Sequence, residues 1–226
     1  THRHGVVPGS EMVVLALGKL GGREMTSTSD LDMIFVYKAP ADAKSSDGPK
    51  PLVLTQYFAR LSQRVINSIT AQTSEGRLFE VDMRLRPSGN AGPIASSLQA
   101  FVQYHNDLSW TWEHMAMTRA RVIAGPPDLR REVESVIAEV LTRPRDGSKL
   151  LADVASMRSR IDEERHTENP LAIKHLRGGL VDIEFISQYL QLKHAHKNPT
   201  ILSPNTHKAL ENLMEHGFLN SEDVKL

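Results

Sequence analysis

The sequence predicts an α+β protein in which a mixed-sheet head comes first and a helical bundle follows. Three observations carry this. The runs with strand character, "EMVVLALG" at 11–18, "DLDMIFVY" at 30–37 and "GRLFEVDMRLRP" at 76–87, all lie before residue 90. One amphipathic helical segment sits between the second run and the third. From "PSGNAGP" onward, the segments read as helices separated by turn-rich breaks.

Taken in order, "EMVVLALG" is a short apolar run that ends at a glycine, as a buried strand does. "KLGGREM" makes a turn or a single helical turn before the second strand. The stretch "KAPADAKSSDGPKP" is rich in Pro, Ser, Asp and Gly, and so a surface loop. Residues 54–69 place Leu54, Tyr57, Phe58, Leu61, Val65 and Ile69 at helical spacing. In the third strand Phe79, Val81, Met83 and Leu85 share one face, and Glu80, Asp82, Arg84 and Arg86 the other. Helices are expected at 97–105, 108–118, 127–142, 148–166 and 178–195, with breaks at "AGPP" and "RPRDG". A last helix is expected at 203–217, with Ser203 as N-cap, Pro204 at the first helical position and Gly217 as the stop. The expected division is a head at 1–126 and a helical domain at 127–226.

Composition excludes several classes. Lys plus Arg and Asp plus Glu stand equal at 27 each, so there is no broad basic field of the kind non-specific nucleic-acid binding needs. There is no cysteine, which rules out disulfides and thiolate metal sites. No apolar run approaches the length of a membrane span. These features predict a soluble cytoplasmic protein that uses neither nucleic acid nor membrane. The chain opens at Thr1 and stops at "SEDVKL", which leads us to expect a piece of a longer polypeptide.

The chemistry centres on "LGKLGGREMTSTSDLDMIFVY" at 17–37. In a strand Asp30 and Asp32 point to the same face, about 7 Å apart. Two carboxylates so placed repel one another, which makes the space between them attractive to a cation. If the third strand lies beside the second, Asp82 joins them, and Arg84 and Arg86 either clamp phosphate or pair with acids such as Glu80. Magnesium binds through a few carboxylates, water and substrate phosphates. Two such ions can hold the attacking and leaving oxygens of a displacement at phosphorus. Gly18, Gly21 and Gly22 let backbone amides approach phosphate closely. The sequence matches neither the P-loop nor the dinucleotide fingerprint.

These motifs, with "QYFARLSQRVI", "VDMRLRPSGNAGP", "WTWEHMAMTRARVIAG" and "GGLVDIEFISQYLQL", resemble the glutamine synthetase adenylyltransferase family from about Val13 to about Gly217. The resemblance implies a nucleotidyltransferase head of the polymerase-beta-like kind: a glycine turn (Gly18, Lys19, Gly21, Gly22), an Asp-x-Asp at Asp30 and Asp32, and a later carboxylate at Asp82. It implies Asp30, Asp32 and Asp82 as metal ligands for Mg²⁺ or Mn²⁺, with Asp82 helping to remove the nucleophile's proton. ATP would be met by the glycine turn, Arg84 and Arg86. Many superfamily members carry Gly-Ser where this chain has Gly18-Lys19, so that serine's phosphate contact falls to Ser29 or to backbone.

The resemblance further implies AMP transfer to a tyrosine of glutamine synthetase, under control by a PII-type signalling protein and glutamine. "WTWEHMAMTRAR", "SGNAGP" and "TRPRD" look more like the adenylylating half of these bifunctional proteins than the half that removes AMP by phosphorolysis. A non-catalytic sensing module and a tRNA nucleotidyltransferase or template-independent polymerase are the other classes. Trp110, Trp112, Met115 and Met117 are expected in the core. Arg119 and Arg121 are candidates for phosphate contact, as are Lys174, Arg177 and Gly178–Gly179, whose helix start could face the nucleotide. Asp182 and Glu184 are candidates for ion pairs or for ligands, and His194 and His196 are expected on the surface.

Overall fold

Strand β2 (Leu31–Lys38) organises the sheet because three other strands pair with it, one along one edge and two along the other. In a computed structural model that describes residues 3–165, 167, 169, 171–220 and 222, β1 (Glu11–Ala16) runs antiparallel to β2. The register takes Glu11 opposite Lys38 through to Ala16 opposite Met33. On its far side β1 pairs antiparallel with β5 (Arg121–Ala124). The opposite edge of β2 carries two short parallel strands. β3 (Val81–Asp82) lies against Leu31 and Asp32, and β4 (Ala95–Ser97) against Phe35 to Tyr37. The fold is therefore α+β with a mixed sheet, as expected.

Its central position explains why β2 reads as one apolar run. Met33 to Tyr37 are buried without alternation, since both faces of the strand are covered. On one face α2 (Leu54–Ile69) lays Leu54, Tyr57, Phe58, Leu61 and Val65 over Phe35 and Tyr37. The rings of Tyr37 and Phe58 stack at 3.9 Å between centroids. The bounds of α2 match the helical spacing in the sequence.

Two strands were not expected, and one is shorter than expected. The third strand pairs only at Val81–Asp82, because Arg86 donates back to the Met83 carbonyl and the chain turns there. β4 and β5 hold three and four residues and are stabilised by their partners in the sheet rather than by any local pattern. β4 feeds α3 (Leu98–Asp107), whose N-cap Ser97 accepts from the Ala100 amide.

The chain divides into two compact units, Thr1–Ser109 with Ala120–Val136, and Trp110–Arg119 with Ile137–Leu226. The sequence reading placed a single break after Pro126. The second unit takes α4 (Thr111–Met117) into a helical group with α6 (Gly147–Arg165), α7 (Leu180–His194) and α8 (Thr206–Glu215). α5 (Pro127–Leu141) begins in the first unit and ends in the second. Residue 166, the expected end of α6, lies outside the described residues. α8 starts later than expected: Asn205, not Ser203, is the N-cap, its side chain accepting from the Lys208 amide at 2.9 Å.

The tryptophans correct a core assignment. Trp110 is 71% exposed and Trp112 38%, while the buried side of α4 is Glu113, Met115 and Met117. Trp110 is the N-cap, where its amide donates to the Glu113 carboxylate, so its ring stands off the helix end.

Candidate active site

The site is built at the start of β2, where the first unit gathers the glycine turn and two carboxylate-bearing strands. α1 (Gly18–Gly22) is a single helical turn, closed by Arg23 in the left-handed region at φ +60°. The Leu17 amide donates to the Asp32 carbonyl at 2.9 Å, which ties this turn to β2. Gly18 adopts φ +50°, and a Cβ there would come within 2.2 Å of Asp32 Oδ2. Only glycine allows the Asp32 carboxylate to lie this close to the turn. The Gly21 amide is spent inside the turn, on the Leu17 carbonyl, and Gly21 and Gly22 are both buried.

Asp32 and Asp82 are register partners on adjacent parallel strands. Paired positions on neighbouring strands point the same way, so both carboxylates rise from one face, with backbones about 4.8 Å apart. The Leu31 amide, donating to the Glu80 carbonyl at 2.8 Å, locks this register. Asp30 is exposed and lies one residue before β2 begins.

Arg84 occupies the acid group. Its backbone amide donates to Asp82 Oδ1 at 2.8 Å, and its Nε and Nη2 donate to Oδ2 at 2.7 and 2.5 Å. These bonds hold the Asp82 carboxyl below the usual carboxylate range, and Asp82, with smaller contributions from Asp32 and Asp30, raises the Arg84 guanidinium. The Arg84 charge therefore acts on all three acids.

The other expected contacts are placed differently. Arg86, expected at phosphate, turns into its own loop and donates to the carbonyls of Met83, Gly92 and Asn90. Ser29 Oγ accepts from the Thr26 amide at 3.0 Å and lies 2.8 Å from Thr26 Oγ1, closing a local turn. Lys19 lies half-buried within α1.

One residue of the site has another role than expected. Arg121, on β5, donates through Nε to the Gly21 carbonyl at 3.0 Å and through Nη2 to the Leu20 carbonyl at 2.9 Å. It caps the end of α1 rather than facing phosphate. The signal for this lies in the pairing of β5 with β1, which no local spacing announces.

In the second unit Arg119, Arg177, Asp182 and Glu184 form ion pairs. Arg119 meets Glu184 at 3.0 Å, Arg158 meets Asp182, and Arg177 meets Asp162 at 2.9 Å. The Gly178 amide donates to Asp182 at 2.6 Å. His194 stacks on Phe218 at 4.1 Å between centroids.

The donor chemistry of Asp30, Asp32 and Asp82, all carboxylate oxygen, suits Mg²⁺ or Mn²⁺. Their arrangement as it stands does not. Among the described residues, no three of His, Cys, Asp and Glu are drawn together closely enough to hold an ion, and Arg84 engages both oxygens of Asp82. No described helix is long and apolar enough to cross a membrane.

Comparison with known proteins agrees with these motifs. The chain is 51% identical over 223 residues to a "Bifunctional glutamine synthetase adenylyltransferase/adenylyl-removing enzyme" of Rhodopseudomonas palustris (strain TIE-1), covering 99% of this chain and 22% of that protein. Proteins of the same description from Bradyrhizobium diazoefficiens and Xanthobacter autotrophicus are 46% and 47% identical, over 99% and 98% of this chain and 22% of each relative. The chain thus spans about a fifth of the length of these relatives. A family model described as GlnD PII-uridylyltransferase matches residues 153–226, within the second unit. The model for Glutamate-ammonia ligase adenylyltransferase matches residues 2–136, which carry the glycine turn and all three acids, and the chain belongs to that family.

Proposed function

We propose that this chain transfers AMP from ATP to a tyrosine of glutamine synthetase, with residues 1–126 as the catalytic head and 127–226 as a helical domain. The observation that carries the reading is the parallel register of Asp32 and Asp82 next to the Gly18 turn. The activities named in the descriptions of its relatives support it.

In this reaction the tyrosine oxygen bonds to the α-phosphorus as the bond to the departing pyrophosphate breaks, and the phenolic proton leaves. A phenol has a pKa of about 10 and is protonated at neutral pH, so it needs a nearby acceptor. Asp82 is the candidate acceptor once Arg84 no longer holds it. Gly18 leaves room for the Asp32 carboxylate, and Arg121 fixes the turn against which the nucleotide lies. Mg²⁺ or Mn²⁺, on Asp30, Asp32 and Asp82, belongs to the proposal through the chemistry of the donor set. ATP contacts are assigned to Gly18, Lys19, Gly21, Gly22, Ser29 and Arg84, with Arg86 supporting the neighbouring loop. The setting is the bacterial cytoplasm. Control by a PII-type protein is suggested by the second family match, and glutamine is the proposed effector.

The name shared by the relatives also covers removal of AMP, which would use the same acids. Incubation with ATP labelled at the α-phosphate and unmodified glutamine synthetase separates the two. Label on the synthetase supports transfer. Phosphate-dependent loss of AMP from the adenylylated synthetase, without transfer, reverses the direction. A folded chain that does neither contradicts the assignment.

A further inference from the structure

Three arginines gather at the end of the glycine turn away from Asp32. Arg121 donates to the Leu20 and Gly21 carbonyls near the close of α1, and Arg23 is the residue that caps the same turn. Arg130 reaches back from α5 to the Val122 carbonyl at 3.2 Å, one position along β5 from Arg121. All three lie in the first unit. Burial lowers the pKa of the Arg121 guanidinium, and the like charges of Arg23 and Arg130 lower it further. Among the described residues none of the three forms an ion pair. The acids flanking Arg130 on α5 are taken up elsewhere, Asp128 by Arg131 and Glu132 by Lys38.

Like charges drawn together without a counter-ion repel one another, so the group is unbalanced as it stands and an anion relieves it. Capping of carbonyls accounts for Arg121 and Arg130, but not for Arg23, which is exposed. We infer that Arg23, Arg121 and Arg130 form a seat for a phosphate oxyanion at the end of α1, and that this seat receives the pyrophosphate end of the nucleotide. The assignment to pyrophosphate rests on the reading of the chain as transferring AMP from ATP. α1 holds five residues, so its ends lie only about 7.5 Å apart. Gly18 meets Asp32 at one end and Arg121 closes the other, so an α-phosphate beside the acids leaves its pyrophosphate within reach of the arginines. The planar guanidinium fork matches phosphate geometry. Arg121 and Arg130 are held in place by backbone carbonyls, whereas Arg23 can close over the anion. Arg121, with Nε and Nη2 already engaged, supplies charge more than contact. As the bond from the α-phosphorus to the bridging oxygen breaks, negative charge builds on the pyrophosphate, and fixed cations there stabilise it.

The test is calorimetric titration of the whole chain with pyrophosphate and, separately, with inorganic phosphate, in the presence of a chelator and without nucleotide. It compares wild type, Arg23→Gln, Arg130→Gln and, as a control on the same helix, Arg131→Gln, with circular dichroism as the check on folding. Arg23→Gln removes no side-chain contact and is the decisive variant. It should weaken pyrophosphate binding roughly two- to fivefold, as loss of an exposed charge pair does. Arg130→Gln should weaken it about tenfold, the size of a hydrogen bond to a charged group, and Arg131→Gln should leave it unchanged. Pyrophosphate binding tighter than phosphate supports the assignment to the leaving group. The reverse order keeps the oxyanion seat but overturns that assignment in favour of free phosphate. If neither anion binds, if Arg23→Gln and Arg130→Gln bind as wild type does, or if Arg131→Gln weakens binding as much as they do, the seat is overturned. A raised KM for the protein substrate in Arg23→Gln, with pyrophosphate binding unchanged, gives the patch to acidic groups of that protein and also overturns it. Failure of the AMP-transfer reading shows separately, in the labelling of glutamine synthetase, and leaves anion binding by the arginines as it was.

Discussion

Asp32 on β2 and Asp82 on β3 are partners in a parallel register, although a loop and the whole of α2 separate them in sequence. Neither strand could place its acid usefully alone. β3 is only two residues long, and its pairing to Leu31 and Asp32 sets where Asp82 stands. The functional reading therefore depends on a long-range pairing, and perturbations that leave this pairing intact should act on chemistry rather than on folding.

Gly18 offers the sharpest steric test. A methyl group there would sit 2.2 Å from Asp32 Oδ2 on a backbone at φ +50°. Gly18→Ala should cost about 1–2 kcal/mol of stability from the left-handed conformation and should also push the Asp32 carboxylate out of place. We expect AMP transfer to fall far more than the melting temperature does, with both followed on the same preparation.

Arg121 tests the support beneath the turn. Its guanidinium meets two carbonyls of α1 from a strand that lies remote in sequence. Arg121→Ala should cost about 1–3 kcal/mol, as lost hydrogen bonds from a charged donor do, and should raise KM for ATP while leaving KM for the protein substrate unchanged. Arg121→Lys, which can reach one carbonyl, should recover part of the ATP affinity. Equal changes in both KM values would reduce Arg121 to a general stabilising role.

His194 gives the second unit a pH dependence. Burial is the main cause lowering the pKa of this ring, which stacks on Phe218, with Lys193, His196 and Lys197 adding to it. A histidine whose folded pKa lies below its unfolded value of about 6.5 gains its proton more readily on unfolding. Stability should therefore be greatest above about pH 6.5 and fall as the pH drops through that value toward the folded pKa. Thermal melts of wild type and His194→Gln from pH 8 to pH 5 should show a smaller loss in the variant.

What was legible in the sequence follows from where each element gets its stability. The bounds of α2 are written in its own spacing, from Leu54 to Ile69, because the helix buries one continuous stripe. The Asp-x-Asp strand and the glycine turn are adjacent in sequence and could be read together. β4 and β5 were not legible, since three or four residues such as "ASS" or "RVIA" become strands only through their partners β2 and β1. Arg86 and Arg121 carry the charge of phosphate ligands, and only the fold shows that backbone carbonyls take them, those of its own loop for Arg86 and those of α1 for Arg121. Trp110 looked like a core residue by type alone, yet it stands at a helix cap. Its fluorescence should be readily quenched by acrylamide, and Trp110→Phe should remove most of the quenchable signal.

The most direct measurement of the central claim is transfer of α-labelled AMP to glutamine synthetase by wild type and by Asp32→Asn, with melting temperatures taken alongside. Losing a carboxylate that stabilises the charge of phosphoryl transfer by several kcal/mol predicts at least about a hundredfold slower labelling, with a melting temperature close to that of wild type. Undiminished labelling by a folded Asp32→Asn would contradict the account.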